Sequence, residues 1–299
     1  MAVLLFAHAL LMVLCATPML RRVTRTGIAP GLGTAVWLAV LACVLGSVVT
    51  ALALAILVLV GVLEASRPIP PAAFVATVVL AVLVVVAGVR WVRALRRMRA
   101  RADEHADALR LLGRRFDCDR LATDVVVLEA DRPAAYCVAG RRGIVVVTSA
   151  AMAALDPVTL RAVLAHEAAH LDGRHPLLLT VVRGLAAAFP GLPGMRWCHT
   201  VAREVGRLLE MSADDAAVRR HGVASVLSGL LTLSGAVPSG ALGASGQDVV
   251  ARAERLAAGS RRCLRVRISL CAIIVFAFGV PVVIVLARAL GALGPLVWP

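Results

Sequence analysis

Four long apolar runs limit what this chain of 299 residues can fold into: Ala2–Leu20, Leu32–Leu63, Pro70–Val92 and Ile268–Leu286. A hydrocarbon core about 30 Å thick needs around 20 helical residues, so each run is long enough to cross a bilayer. The second is overlong. As a straight helix it would reach about 48 Å, so it must tilt, kink or protrude. Pro281 lies inside the fourth, where it predicts a kink that a membrane helix tolerates. No Lys or Arg precedes the first run and no convincing small-x-small cleavage site follows it, so it is read as a retained span. The composition agrees: 60% of residues are hydrophobic, against nearly half in soluble domains.

Charge orients the spans. The formal net charge is +14, carried by arginine. No aromatics interleave the arginines as bases to stack upon, so no direct nucleic-acid partner is expected. The arginines instead flank the apolar runs: Arg21, Arg22 and Arg25 after the first, Arg90–Arg101 after the third, Arg261–Arg267 before the fourth. The positive-inside rule then puts the first loop and the large polar segment in the cytoplasm, with both termini outside the plasma membrane. Seven cysteines show no CxxC pair and no zinc-ribbon spacing, and are read as structural or neutral.

The expected organisation is three spans in 1–92 (about 2–20, 32–63 and 70–92), a cytoplasmic domain in 93–265 with basic juxtamembrane ends, and a fourth span with a short extracellular tail in 266–299. The domain opens with a charged run, Arg93–Arg115, read as an amphipathic or juxtamembrane helix. Strand-like stretches follow at Asp124–Glu129, Ala134–Val138 and Gly143–Thr148, the last two joined by the turn Gly140-Arg141-Arg142-Gly143. From Asp156 to about Arg255 the pattern is helical. The fold class expected is an α-helical polytopic membrane protein with four spans and a cytoplasmic α+β domain.

Asp156-Pro157 marks a helix start, an acid at the N-cap followed by proline in the first turn. That helix carries His166-Glu167-Ala168-Ala169-His170, an HExxH motif. Residues four apart share a helix face, so both imidazoles can bind one Zn2+ ion while Glu167 faces the attacking water as general base. A catalytic zinc needs a third protein ligand. Glu204 and Glu210 compete for that role, and periodicity favours Glu210: His199, Arg203, Arg207, Glu210 and Asp214 form one polar stripe that Glu204 leaves. Asp214, four residues after Glu210, is expected to orient a ligand histidine through its free ring N–H. Glu204 is expected to be exposed and paired with arginine. Arg207 is a candidate for stabilising the oxyanion, or else a salt-bridge partner of Asp214 or Glu210. His175 is expected at a cap or on the surface, His199 away from the metal, and Tyr136 in packing unless it donates to the tetrahedral intermediate. The strand Ile144–Thr148 is a candidate edge for an extended substrate.

Three segments together resemble the BlaR/MecR-type antirepressor membrane metallopeptidases: His166-Glu-Ala-Ala-His170-Leu-Asp-Gly-Arg-His175, Glu210-Met-Ser-Ala-Asp214-Asp215-Ala-Ala, and Tyr136-Cys-Val-Ala-Gly140-Arg-Arg-Gly-Ile-Val-Val-Val-Thr-Ser149. The order of three spans, protease domain and one further span is similar too. The resemblance implies a zincin-like domain of gluzincin type, with His166, His170 and Glu210 on zinc and Glu167 as base. It also implies a cytoplasmic protein substrate, a winged-helix transcriptional repressor, cleaved in signal transduction. About a dozen residues follow Leu286, so the penicillin-binding sensor domain of that type is not expected, nor is acylation by a β-lactam. Two alternatives stand beside this reading: a membrane quality-control protease similar to HtpX, and a non-proteolytic membrane sensor that holds zinc for structure.

Overall fold

The structure, a computed structural model, describes residues 2–66, 68–117, 123–188, 195–235, 244–259 and 263–289. Helix α1 (Ala2–Leu11) passes through a π-helical turn, Met12–Ala16, into α2 (Thr17–Thr24). Pro18 lacks an N–H and cannot close an α-helical bond to the preceding turn, which accounts for the wider turn there. After a short turn, α3 (Pro30–Glu64) and α4 (Pro71–Leu112) follow. With α10 (Leu264–Ala289), four helical segments among the described residues are long and apolar enough to cross a membrane: Ala2–Thr24, Pro30–Glu64, Pro71–Leu112 and Leu264–Ala287. Along α4 the apolar residues Phe74, Val75, Val79, Val82, Val85 and Val89 are all exposed. So much uncovered apolar surface is compatible with a lipid environment.

The charged run after the third apolar stretch does not form a helix of its own. α4 continues unbroken for 42 residues, about 63 Å, and ends at Gly113. Arg114 and Arg115, expected to be helical, belong to strand β1 (Arg114–Phe116). Strands β2 (Asp124–Leu128), β3 (Ala135–Val138) and β4 (Ile144–Thr148) complete a four-stranded sheet in the order β1-β2-β4-β3. β3 and β4 pair antiparallel across the Gly140–Gly143 turn, whereas β2 and β4 pair parallel. β4 is buried at all five positions because it has a strand on each side and helices over both faces. Ala106 and Leu109 of α4 cover the face carrying Val126, Val138 and Val146. Leu164 of α6 (Pro157–Asp172) covers the face carrying Val125, Val145 and Val147. Burying each such valine or leucine contributes about 1.5–3 kcal/mol relative to leaving it exposed.

β4 therefore cannot offer a free edge to a substrate, as its sequence suggested; β3 is the edge strand on that side. The helices α5 (Ser149–Ala154), α7 (His175–Ala186), α8 (Met195–Gly235) and α9 (Ala244–Ala258) complete the domain. α8 breaks at Gly222, where φ is 80° and ψ 163°, a conformation that glycine alone adopts without strain. The segment before the break packs Val201, Val205 and Leu208 against Leu20, Val36, Trp37 and Val40 of the apolar helices. The segment after it returns over α6, where Gly229 lies so close to Val163 that a Cβ would come within 2.5 Å of it.

Candidate metal centre

The motif helix α6 is capped as its sequence predicts. The Asp156 carboxylate accepts the N–H groups of Val158 at 2.8 Å and Thr159 at 3.1 Å, and Gly173 N–H bonds back to Ala169 at 2.9 Å. Alanine at such an N-cap costs about 1 kcal/mol. The cap fixes the helical register, and with it the four-residue spacing that turns His166 and His170 toward α8.

The ring nitrogens Nε2 of His166 and His170 lie 3.2 Å apart. From Glu210, Oε2 lies 3.6 Å from His166 Nε2 and Oε1 lies 3.5 Å from His170 Nε2. A tetrahedral zinc with bonds of about 2.0–2.1 Å separates its ligand atoms by about 3.4 Å, close to the spacing of each imidazole nitrogen from the other and from the Glu210 oxygen nearest to it. Among the described residues these three side chains form a group able to hold a metal ion. The donor set, two imidazoles and one carboxylate, suits zinc.

Each histidine is held from behind. His166 Nδ1 lies 3.1 Å from Asp214 Oδ1, and Asp214 is fully buried. His170 Nδ1 lies 3.0 Å from His175 Nδ1. His175 is thus a buried partner of the motif, not the surface or capping residue its position beyond Gly173 suggested. Gly173 leaves room for it: a Cβ there would meet His175 Nε2 at 2.5 Å. Arg252 of α9 closes the back of the site, with Nε and NH2 donating to Asp214 at 2.8 and 2.6 Å and NH1 lying 3.0 Å from Glu210. Sequence reasoning missed Arg252. Its signal was faint: Arg252 and Arg255 sit three apart, on one face of a short helix.

Two expectations about α8 are corrected. Arg207 does not face the metal centre; it donates to the backbone carbonyls of Thr24 and Arg25 and pairs with Glu204 at 3.2 Å. Glu204 is buried, not exposed, between Arg207 and Arg21. The 100° stripe is real, but α8 changes neighbours along its length. Residues from Glu210 onward meet α6, while Arg207 meets the turn after α2. His199 is exposed, away from the centre. Tyr136 packs on the α4 side of the sheet, because strand alternation turns Cys137, not Tyr136, toward α6.

Electrostatics divide the roles. Burial opposes a charge on His166, but Asp214 and Glu210 outweigh it and raise the pKa to about 9. Burial lowers His170 to about 4 and raises Glu167 to about 7. Glu210 and Asp214 both stay well below the usual carboxylate range; burial works against this, and His166 and Arg252 overcome it. The Cys137 thiol, pushed up to about 12 by burial and by the charge of Glu167, stays protonated and hydrogen-bonded to that carboxylate. Glu167 lines a cavity of about 220 Å³ with His166, Glu210 and the apolar side chains Val163, Val226 and Leu230. A carboxylate with a near-neutral pKa beside a group able to hold a metal ion and an open cavity is equipped to move a proton.

No curated protein and no solved structure matches the chain. Residues 108–256, which hold the sheet, the motif helix, Glu210 and Arg252, match the family model described as Peptidase family M48, and this match supports a metallopeptidase of that family.

Proposed function

We propose that the protein is a membrane-embedded zinc metalloendopeptidase that hydrolyses peptide bonds of a cytoplasmic protein. The observation that carries this reading is the spacing of the His166, His170 and Glu210 ligand atoms around one point, with Glu167 beside it in an open cleft. In this reading the three residues hold Zn2+, which would supply Lewis acidity to the water and to the scissile carbonyl. Asp214 and His175 fix the ring orientations of His166 and His170. Glu167 takes a proton from the attacking water and returns it to the leaving amine. An apolar substrate side chain fits the cavity beside Val226 and Leu230. The free edge of β3 offers backbone groups to an extended peptide.

The four apolar helices are taken as spans, with the peptidase domain in the cytoplasm and both termini outside. The motif segments and span order favour a role similar to that of the BlaR/MecR type, in which cleavage of a winged-helix repressor releases its genes. Where the HtpX-like alternative has a quality-control substrate, this reading has one regulatory protein. The purified full chain should cleave a peptide mixture, lose that activity to a chelator and regain it with zinc. Chelator-resistant cleavage would refute a metallopeptidase. Co-expression with a candidate winged-helix repressor should yield repressor fragments; intact repressor alongside general proteolysis would favour the HtpX-like alternative.

A further inference from the structure

The C-terminal half of α4 and the helix pair α6–α7 stand on either side of the free edge of β3. Between them lies a cavity of about 970 Å³. Its floor is the β3 edge and the turn beyond it, from Cys137 to Arg141. Four arginines rim it: Arg99 and Arg101 from α4, Arg141 from the β3–β4 turn, and Arg174 from the α6–α7 junction. The one acid in the lining, Asp103, already accepts the backbone N–H of Arg141 at 2.7 Å. All four arginines are exposed, and none has an acidic partner among the described residues. Arg99 and Arg101 alone would suit the basic flank of a membrane helix. Arg141 and Arg174 do not fit that explanation, since they belong to the sheet and to the end of the motif helix. Cys137 in the lining of this cavity ties it to the candidate base, since its thiol donates to Glu167.

We propose that this groove selects acidic side chains, so that the protein prefers a polypeptide with Asp or Glu on the N-terminal side of the scissile bond. The inference rests on the peptidase reading above. Its direction comes from the strand. β3 runs from Ala135 to Val138, and Cys137 lies beside the base. A peptide paired antiparallel, the commoner pairing, runs the other way and lays its N-terminal residues along Val138 to Arg141. Arg141 lies in the turn beyond Val138, so at about 3.3 Å per residue it stands at most about 13 Å from Cys137, up to four substrate residues from the bond cut. Unpaired guanidinium groups around a concave surface attract carboxylates, and the attraction weakens with salt.

The test uses the full chain in nanodiscs of neutral lipid. Three peptides share one apolar core and carry Glu-Glu, Gln-Gln or Lys-Lys three and four residues before it. Their binding to Glu167→Gln protein is read by fluorescence anisotropy, and their cleavage by wild type is read by mass spectrometry. The Glu-Glu peptide should bind about five- to tenfold more tightly than Gln-Gln at low salt, a few-fold per exposed pair. Arg141→Glu combined with Arg174→Glu should abolish that difference and favour Lys-Lys; both positions are exposed. Equal binding of Glu-Glu and Gln-Gln would overturn the proposal, as would discrimination that survives the double variant. So would a double variant that weakens binding of phosphatidylglycerol vesicles and leaves the peptides unaffected, since the arginines would then serve a lipid. Discrimination in binding with no cleavage of any peptide would keep the groove and remove the peptidase reading.

Discussion

Asp214→Asn should weaken zinc binding by about 10- to 100-fold, equivalent to about 1.4–2.7 kcal/mol. Asp214 has no exposed surface, accepts two hydrogen bonds from Arg252 and lies 3.1 Å from His166 Nδ1. Its charge favours the ring state in which Nδ1 carries the proton and Nε2 is free to bind metal. Asparagine keeps the shape but loses the charge, and its amide cannot accept from both neighbours with both of its atoms. Removing one member of a buried ion pair costs about 3–5 kcal/mol of stability. The loss here should fall at the low end, because Arg252 keeps Glu210 at 3.0 Å. Zinc affinity would be measured by competition with a chromophoric chelator on detergent-purified protein, with thermal melting to confirm folding. Glu204→Gln is the control, since Glu204 binds Arg21 and Arg207 away from the centre. If folded Asp214→Asn protein held zinc within twofold of wild type, the orienting role of Asp214 would be wrong.

Three further outcomes are expected. His175→Ala should lower zinc affinity by about tenfold through loss of the Nδ1 contact to His170, with Glu167 chemistry intact at saturating zinc; a normal affinity would make His175 a packing residue only. Zinc binding should depend on pH. The metal-free His166, with a pKa raised to about 9, carries a proton that the metal must displace, so apparent affinity should rise tenfold per unit from about pH 6 to 8 and level off above 9. A flat titration by chelator competition would contradict the charged His166–Asp214 pair. Phosphatase fused within Glu64–Pro71 should be active and at Gly222 inactive, and an active Gly222 fusion would place the domain outside the cell.

What the sequence disclosed follows the range of the interactions involved. The apolar helices and the capped HExxH helix are local patterns, set by composition, by a four-residue spacing and by Asp156, and they are legible without tertiary knowledge. Glu210 was separable from Glu204 because a single helix face is still a local property. The failures begin where a side chain answers to a distant segment. Arg207 lies on the same stripe as Glu210, yet the backbone of Thr24 and Arg25 draws it away. Arg252 reaches Asp214 from 38 residues downstream, past a helix break that no spacing rule spans. His175 sits beyond the end of α6 in sequence, but the tight turn at Gly173 and Arg174 brings it back against His170. The charged run after Val92 looked like a boundary, but the covered face of the sheet keeps it helical to Leu112.

The central claim is that Glu167 moves the proton for a peptide hydrolysis at the His166–His170–Glu210 centre. The most direct measurement compares wild type and Glu167→Gln, each assayed for bound zinc and for peptide cleavage on the same purified sample. Glutamine is nearly isosteric and is not a ligand, so both proteins should hold one zinc per chain, and only wild type should cleave, with turnover in the variant lower by about 10²–10⁴-fold. A Glu167→Gln protein that holds zinc and cleaves at the wild-type rate would contradict the account.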